Sequence, residues 1–353
     1  MSRFFSNKFA SLTPYTPGEQ PKIMNLLKLN SNESPFPPSE KAIKAAATAA
    51  ENLQLYSDPT ATNLTAKMAE YLGVDSDQVL MTNGSDEILN FAFMAYGDKD
   101  NPIAFPDITY GFYPVFAQLS NIPYKEIPLD ENFKIRVSDY IGLNKTIVIA
   151  NPNAPTGIAL SLSEIEEIVK SNPDNIVIID EAYVDFGNES AVCLIKKYDN
   201  LLVTGTFSKS RSMAGARLGY GVASKEIIKD LNTIKYSTNP YNINSMTMAA
   251  GIGALEDEEY TKTNCKTICE NREYTMKMLK EMGFEMTEST ANFIFAKHPE
   301  VSGEEIYLSL RKKGILVRHF TGKRICEYNR ITVGTREQMD KFLDALKEIL
   351  EDK

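Results

Sequence analysis

The chain has 353 residues, of which 43% are hydrophobic, so it is long enough for one large domain and a smaller second one. Its formal net charge of −9 at pH 7 excludes nucleic acid as the main partner, because phosphate backbones are bound by clustered Lys and Arg. With two histidines, and four cysteines that form no CxxC pair, a histidine-rich metal site cannot be built, and we expect no metal.

The first 40 residues are rich in Pro, Ser and Asn, which predicts an extended arm. We expect residues 1–40 to contribute to the small domain and to a ligand pocket. The start of the chain has no long apolar core followed by a cleavage site, and no run of about 18 apolar residues occurs anywhere. We therefore expect a cytoplasmic protein that does not insert into membranes.

Residues 41–240 alternate between helical and strand patterns, which predicts a large α/β domain. The predicted helices are Lys41–Asn52, Leu64–Leu72, one that begins near Ser85, and Leu162–Lys170. The predicted strands are Gln78–Thr82, Thr146–Ala150, Ile176–Ile179 and Leu201–Thr204. The last three are continuous apolar runs, as expected for strands covered on both faces, and a helix between strands favours a mostly parallel central sheet.

Residues 241–353 predict a smaller C-terminal α+β domain, with Pro240 in the connection. A helical pattern covers Ser245–Met282 with an interruption around Asp257–Tyr260, and two further helices are predicted at Gly303–Lys312 and Glu337–Glu351. Strands are predicted at Asn292–Ala296, Ile315–Val317 and Arg330–Val333.

Three strand ends carry the candidate chemistry, since ligands in open α/β sheets bind beyond the carboxyl ends of the strands. After the first strand, Gly84, Ser85 and Asp86 open a helix whose free N–H groups suit a phosphate, although an ordinary capped turn has the same pattern. Asp180 follows four apolar residues, so it is either a solvated strand end or a carboxylate that meets a cation.

Lys209 lies just past the third strand end, where partial burial would favour its neutral, nucleophilic amine. A lone lysine at such a place is usually a surface residue. Thr206, Ser208 and Arg217 are close to it in sequence and could complete an anion site that begins at Ser85.

Together these segments resemble the fold-type I pyridoxal-phosphate-dependent enzymes, and within them the histidinol-phosphate aminotransferases. The resemblance covers nearly the whole chain. The matching segments are Leu29–Pro35, Tyr56–Pro59, Asn83–Glu87, Thr109–Gly111, Asn151–Gly157, Asp180–Tyr183, Ser208–Lys209, Gly215–Arg217, Gly314–Arg318 and Arg330–Arg336. Their number and order are specific for the superfamily.

The resemblance implies pyridoxal 5'-phosphate as cofactor, bound as a Schiff base to Lys209, whose freed amine then moves a substrate proton. It implies that Asp180 keeps the ring nitrogen protonated, that Tyr110 stacks on the ring, and that Tyr183 bonds the phenolic oxygen. The phosphate would lie among Gly84, Ser85, Asp86, Thr206, Ser208 and Arg217. Tyr56 would reach the phosphate of the other subunit, which implies a homodimer.

One position departs from the family pattern. Relatives usually place Asn directly before Pro-Thr-Gly, where it bonds the phenolic oxygen, but this chain has Ala154 there and Asn153 one residue earlier. Tyr183 is therefore the surer donor to that oxygen.

The resemblance also implies the substrates, a small-molecule amino donor and a 2-oxo acid. The expected reaction converts L-histidinol phosphate and 2-oxoglutarate to imidazole acetol phosphate and L-glutamate in histidine biosynthesis. Arg318 and Arg330 match the positions that bind the anionic groups, with Tyr15 and Asn32 lining the pocket. For Arg336 we expect only a surface ion pair.

Four alternatives remain open at this point. A threonine-phosphate decarboxylase or an aromatic amino-acid aminotransferase would share the fold and the cofactor. A cofactor-free binding module would be colourless, and a nucleotide-binding dehydrogenase is disfavoured because no GxGxxG follows the first strand.

Overall fold

The computed structural model describes residues 2–9, 12–19 and 26–351. In chain order its helices are α1 Glu40–Ala49, α2 Thr62–Leu72, α3 Ser85–Tyr96, α4 Tyr113–Ser120, α5 Leu162–Ser171, α6 Lys225–Thr238, α7 Ser245–Leu255, α8 Glu258–Glu281, α9 Gly303–Lys312 and α10 Arg336–Glu351. Its strands are β1 Leu27–Lys28, β2 Val79–Thr82, β3 Ile103–Pro106, β4 Tyr124–Ile127, β5 Thr146–Ala150, β6 Val177–Asp180, β7 Leu201–Thr206, β8 Gly219–Val222, β9 Glu285–Met286, β10 Phe293–Lys297, β11 Ile315–Leu316, β12 Arg318–His319 and β13 Asn329–Thr332.

A seven-stranded sheet with the order β2-β8-β7-β6-β5-β3-β4 forms the centre of the large unit. The strands from β7 to β4 in this order are parallel, and β8 runs antiparallel to both β2 and β7. The predicted α/β class with a mostly parallel sheet is thus confirmed. Strands β3, β4 and β8 were not predicted from the sequence.

Both faces of this sheet are covered, which explains the continuous apolar runs in its strands. In β5, Val148 packs with α3, α4 and α6, whereas its neighbours Ile147 and Ile149 pack with α5 on the opposite side. All three side chains are fully buried. These successive side chains point to opposite faces of the sheet, yet all three are apolar. This is the expected pattern for a sheet between two layers of helices.

The C-terminal residues form a second, smaller layered unit. Its antiparallel sheet has the order β12-β13-β10-β9, and its core is filled from α8, α9 and α10. The last helix packs against this core with Met339, Phe342, Leu343 and Leu346, which are buried. This is the α+β arrangement expected for the end of the chain.

The N-terminal segment joins the small unit through β1, which pairs in parallel with β11, and through the buried Leu29. The rest of the described arm contains a short 3-10 helix at Asn7–Phe9 and otherwise has no regular structure. Helix α7 packs on α1 and α2 of the large unit. The division at residue 241 stays a prediction, since α7 lies beyond it in sequence.

Within the described ranges, no helix combines the length and the apolar composition needed to cross a bilayer.

Candidate active site

The carboxyl ends of β2, β6 and β7 come together at one edge of the large sheet. They bring the turn at Gly84, the carboxylate of Asp180 and the segment of Lys209 to a single cavity of about 270 Å³. The predicted site residues on its wall are Ser85, Asp86, Tyr110, Asp180, Tyr183, Thr206, Ser208, Lys209 and Arg217. Residues far apart in sequence therefore meet in the arrangement that the strand ends predicted.

One end of this cavity has groups that could bind a phosphate. Helix α3 begins after Gly84, which provides no side-chain cap, so the first-turn amides of Ser85 and Asp86 have no partner within the helix. The hydroxyl of Thr206 donates to Ser208 Oγ at 2.9 Å. Across the opening, Arg217 Nη2 lies 3.1 Å from Asp86 Oδ2.

Two glycines make this end of the cavity possible. A Cβ on Gly84, whose φ is +78°, would lie 2.6 Å from Arg217 Nη2. A Cβ on Gly219 would lie 2.4 Å from the carbonyl carbon of Gly84 and 2.5 Å from the amide nitrogen of Ser85. Only residues without side chains let β8 and the helix start approach so closely.

Asp180 lies on the wall of the same cavity and is buried. Its Oδ2 accepts a hydrogen bond from the Tyr113 hydroxyl at 2.9 Å, and Oδ1 lies 3.4 Å from Thr204 Oγ1. Burial raises the pKa of Asp180 to about 6, and the hydrogen bond from Tyr113 opposes that rise. Among the described residues no cation lies within ion-pair distance of it, so a positively charged ligand group would be stabilised there.

Lys209 lies on the wall that separates this inner cavity from a larger outer one. Its Nζ donates to the carbonyl of Ser31 at 3.3 Å and lies 5.7 Å from the centre of the Tyr183 ring. A primary amine, a carboxylate and a phosphate site on one cavity are the groups that pyridoxal phosphate requires, so the residues present fit the cofactor that the resemblance implies.

The outer cavity has a volume of about 620 Å³ and contains two guanidinium groups without carboxylate partners among the described residues. Arg330 packs over the rings of Phe293 and Phe320, donates to the carbonyl of Asn30 at 3.2 Å, and has an Nε with no partner. Arg318 donates to backbone carbonyls of the arm at 3.1 and 3.3 Å. Such groups can bind an anionic ligand in two-point fashion.

Two more predicted pocket residues line the outer cavity. Tyr15 of the arm lies with its ring centre 6.1 Å from that of Tyr110. Asn32 faces Tyr183, because its Nδ2 donates to the Tyr183 hydroxyl at 2.9 Å. Tyr110 in turn donates to Asp86 Oδ1 at 2.9 Å, and burial raises its phenolic pKa well above the ordinary value.

Tyr56 lies outside both cavities of its own chain. Its side chain is 84% exposed and stacks on Tyr241 with ring centres 4.7 Å apart.

The segment before Pro-Thr-Gly contributes no polar group to the cavity. Ala154 lies on its wall and packs with Phe293 and Tyr183. Asn153 points elsewhere: its Nδ2 donates to the carbonyl of Ile108 at 2.9 Å, and its Oδ1 accepts from Thr109. The amide one residue earlier therefore does not replace the missing one.

Two features differ from what the sequence suggested. Tyr113, the partner of Asp180, was not predicted. It is the first residue of α4, and its N–H donates to the carbonyl of Tyr110 in the turn that precedes the helix. The prediction that Arg336 forms an ion pair was wrong within the described residues. Its guanidinium lies 3.6 Å from the centre of the Tyr274 ring, and its Nε donates to Asn271 Oδ1.

Comparison with known proteins supports the resemblance seen in the sequence. Residues 24–346 match the family model described as aminotransferase class I and II. The histidinol-phosphate aminotransferase of Brachyspira hyodysenteriae is 48% identical over 352 residues, covering 99% of each chain. The crystal structure of the histidinol-phosphate aminotransferase from Clostridium acetobutylicum superimposes with a TM-score of 0.86 at 28% identity, covering 93% of this chain and 100% of that one.

A second solved structure shows the same fold at lower identity. The histidinol-phosphate aminotransferase from Sinorhizobium meliloti, in complex with pyridoxal-5'-phosphate, has a TM-score of 0.89 at 21% identity and covers 100% of this chain and 99% of its own.

The buried carboxylate predicts a pH-dependent stability. Because the folded pKa of Asp180 is raised from 3.8 to about 6, the folded state holds its proton more tightly, and stability falls as pH rises through that interval. In protein stripped of small molecules, Asp180→Asn should therefore raise the free energy of unfolding by about 3 kcal/mol near pH 8 but only about 1 kcal/mol near pH 4.5. Urea unfolding at both pH values measures this.

The exposed Asp174→Asn is the matched control for this experiment, and it should leave the difference between the two pH values unchanged. If Asp180→Asn changed the free energy of unfolding equally at both pH values, the ionised carboxylate would not destabilise the folded state, and the prediction would be wrong.

Proposed function

The chain belongs to the aminotransferase class I and II family, and from that premise we propose that it transfers the amino group of L-histidinol phosphate to 2-oxoglutarate. The observation that carries the proposal is the joint position of Lys209, Asp180 and the two guanidinium groups around connected cavities. The products are imidazole acetol phosphate and L-glutamate, and the reaction belongs to histidine biosynthesis.

The cofactor is pyridoxal 5'-phosphate, which supplies an aldehyde for a covalent bond to an amine and a ring that accepts an electron pair. Lys209 would hold the aldehyde, and Tyr110 would pack on the ring. The phosphate would be held by Gly84, Ser85, Asp86, Thr206, Ser208 and Arg217. Arg217 and Asp86 already pair across this end of the cavity, so the guanidinium is positioned before a phosphate arrives.

Asp180 and Lys209 perform the proton chemistry. Asp180, ionised and bonded by Tyr113, would keep the ring nitrogen protonated, and the positive charge would lower the raised pKa of this carboxyl in return. Lys209 Nζ, once free of the cofactor, would accept the proton from the substrate carbon that carries the amino group and would pass it to the cofactor. Its place on the wall between the two cavities gives it access to both ligands.

The outer cavity accounts for the choice of anionic substrates. Arg330 and Arg318 offer guanidinium groups to a phosphate in one half-reaction and to a carboxylate of the oxo acid in the other. Asp107, the carboxylate on this wall, already pairs with Arg324 at 3.0 Å, so it does not neutralise them. Burial lowers the pKa of Arg330, and an anionic partner would offset that effect.

We further infer that two copies complete each site. Leu53, Leu55, Tyr56 and Tyr241 are exposed, and Tyr56 stacks on Tyr241. Exposed apolar side chains that lie together are typical of protein–protein contact surfaces. A second copy that covers this surface could insert Tyr56 toward the phosphate end of the neighbouring site. The cytoplasmic location likewise stays a prediction.

A panel of amino donors tests the substrate. L-Histidinol phosphate with 2-oxoglutarate should give the highest kcat/KM, because its phosphate replaces the carboxylate that a guanidinium pair also binds. Glutamate formation and carbon dioxide release should be followed with L-histidinol phosphate, L-phenylalanine and L-threonine phosphate. Preference for L-phenylalanine would indicate an aromatic aminotransferase, and gas release from L-threonine phosphate would indicate a decarboxylase.

Mixed dimers test the position of Tyr56. Chains with Lys209→Ala and chains with Tyr56→Ala should each be impaired at limiting cofactor, the second by about 10-fold, since a hydrogen bond to a charged group is lost. If Tyr56 acts on the partner, a mixed dimer regains one intact site and therefore activity. If it acts within its own chain, mixing restores nothing.

A further inference from the structure

The missing amide at Ala154 leaves one hydrogen-bond donor, Tyr183, beside the position proposed for the cofactor's phenolic oxygen. A phenol has one hydroxyl hydrogen. It can donate this hydrogen either to the ligand or to a neighbouring protein acceptor. The group on the other side of the Tyr183 hydroxyl therefore decides whether that hydroxyl can donate to the ligand. The structure places an amide there from another part of the chain, Asn32 of the N-terminal segment.

The environment of Asn32 holds this amide in one place. The residue is buried and has φ of +55°, in the left-handed region that asparagine tolerates better than most side chains. Its backbone N–H donates to Thr332 Oγ1 at 2.9 Å, and its carbonyl accepts from Asn292 Nδ2 at 3.1 Å. Both partners belong to the small unit.

The hydroxyl of Thr332 also fixes which end of the amide faces Tyr183. Because that hydroxyl accepts the Asn32 N–H, its own hydrogen is directed to Asn32 Oδ1, 3.1 Å away. The Nδ2 of the amide therefore faces Tyr183 and donates to its oxygen at 2.9 Å. Tyr183 acts as an acceptor in this contact, and its hydrogen remains free to point into the cavity.

We propose that Thr332 and Asn32 form a positioning relay that keeps the Tyr183 hydroxyl directed at the cofactor, in place of the amide that Ala154 lacks. The inference rests on the proposed function. Thr332 lines neither cavity, and Asn32, on the wall of the outer one, acts through Tyr183. Thr332 orients Asn32, and Asn32 prevents Tyr183 from donating away from the site.

The relay has a measurable electrostatic effect at Lys209. A hydrogen bond from Tyr183 to a negatively charged oxygen of the cofactor withdraws charge from that oxygen, which then attracts the proton on Lys209 Nζ less strongly. Losing the bond should therefore raise the pH at which Lys209 Nζ, covalently linked to the cofactor, gives up this proton. The expected rise is about one pH unit, a tenfold change in acid dissociation, for a hydrogen bond to a charged group.

The test is a pH titration of the cofactor's visible absorbance in the full-length holoenzyme. Thr332→Val removes the hydroxyl with little change of shape and adds no charge, so it should raise the midpoint. Thr332→Ser keeps the hydroxyl and should leave the midpoint unchanged. Tyr183→Phe should raise the midpoint most. The double variant Thr332→Val with Tyr183→Phe should have the same midpoint as Tyr183→Phe alone.

A second variant guards against misfolding of Thr332→Val. Asn32→Gly removes the amide while glycine adopts the positive φ without strain, so it should raise the midpoint as well. Unchanged midpoints in both variants, or shifts that add to that of Tyr183→Phe, would overturn the relay. A wild-type protein without cofactor absorbance would instead contradict the proposed function itself.

Discussion

A carboxylate at the end of a strand that is covered on both faces is the constraint from which the site follows. Asp180 ends β6, whose other residues are fully buried, and its pKa is raised to about 6 because the surroundings disfavour its charge. The phenol of Tyr113 offsets part of this cost. A cation in the cavity would offset the rest, so the carboxylate favours a positively charged ligand group there.

The remaining parts of the site are arranged around that preference. Gly84 and Gly219 let a helix start approach β8, and the first residues of that helix, Ser85 and Asp86, line the same cavity as Asp180. Arg330 and Arg318, which come from the small unit, line the outer cavity. The N-terminal segment pairs with the small unit through β1 and reaches Tyr183 through Asn32. The two units and the arm thus all contribute residues to the walls of the two cavities.

Much of this arrangement could be predicted from sequence, because buried strands and their polar ends leave a clear pattern. The runs at β5, β6 and β7 and the residues Asp180 and Lys209 are of this kind. Strand β8 has the sequence Gly-Tyr-Gly-Val, with too few apolar side chains to be recognised. Helix α7 has apolar residues on all its faces, so the periodicity of its sequence did not show that it packs on the large unit. The contact of Asn32 with Tyr183 joins residues 151 positions apart and depends on tertiary packing.

The central claim is that one amine, that of Lys209, bonds covalently to a pyridoxal aldehyde opposite Asp180. Borohydride reduction of the purified holoenzyme, followed by proteolysis and peptide mass mapping, tests it most directly. The account predicts that the reduced cofactor is found on the peptide containing Lys209 and is absent from that of Lys235, a buried lysine outside both cavities. Label on another lysine, or on none, would contradict it.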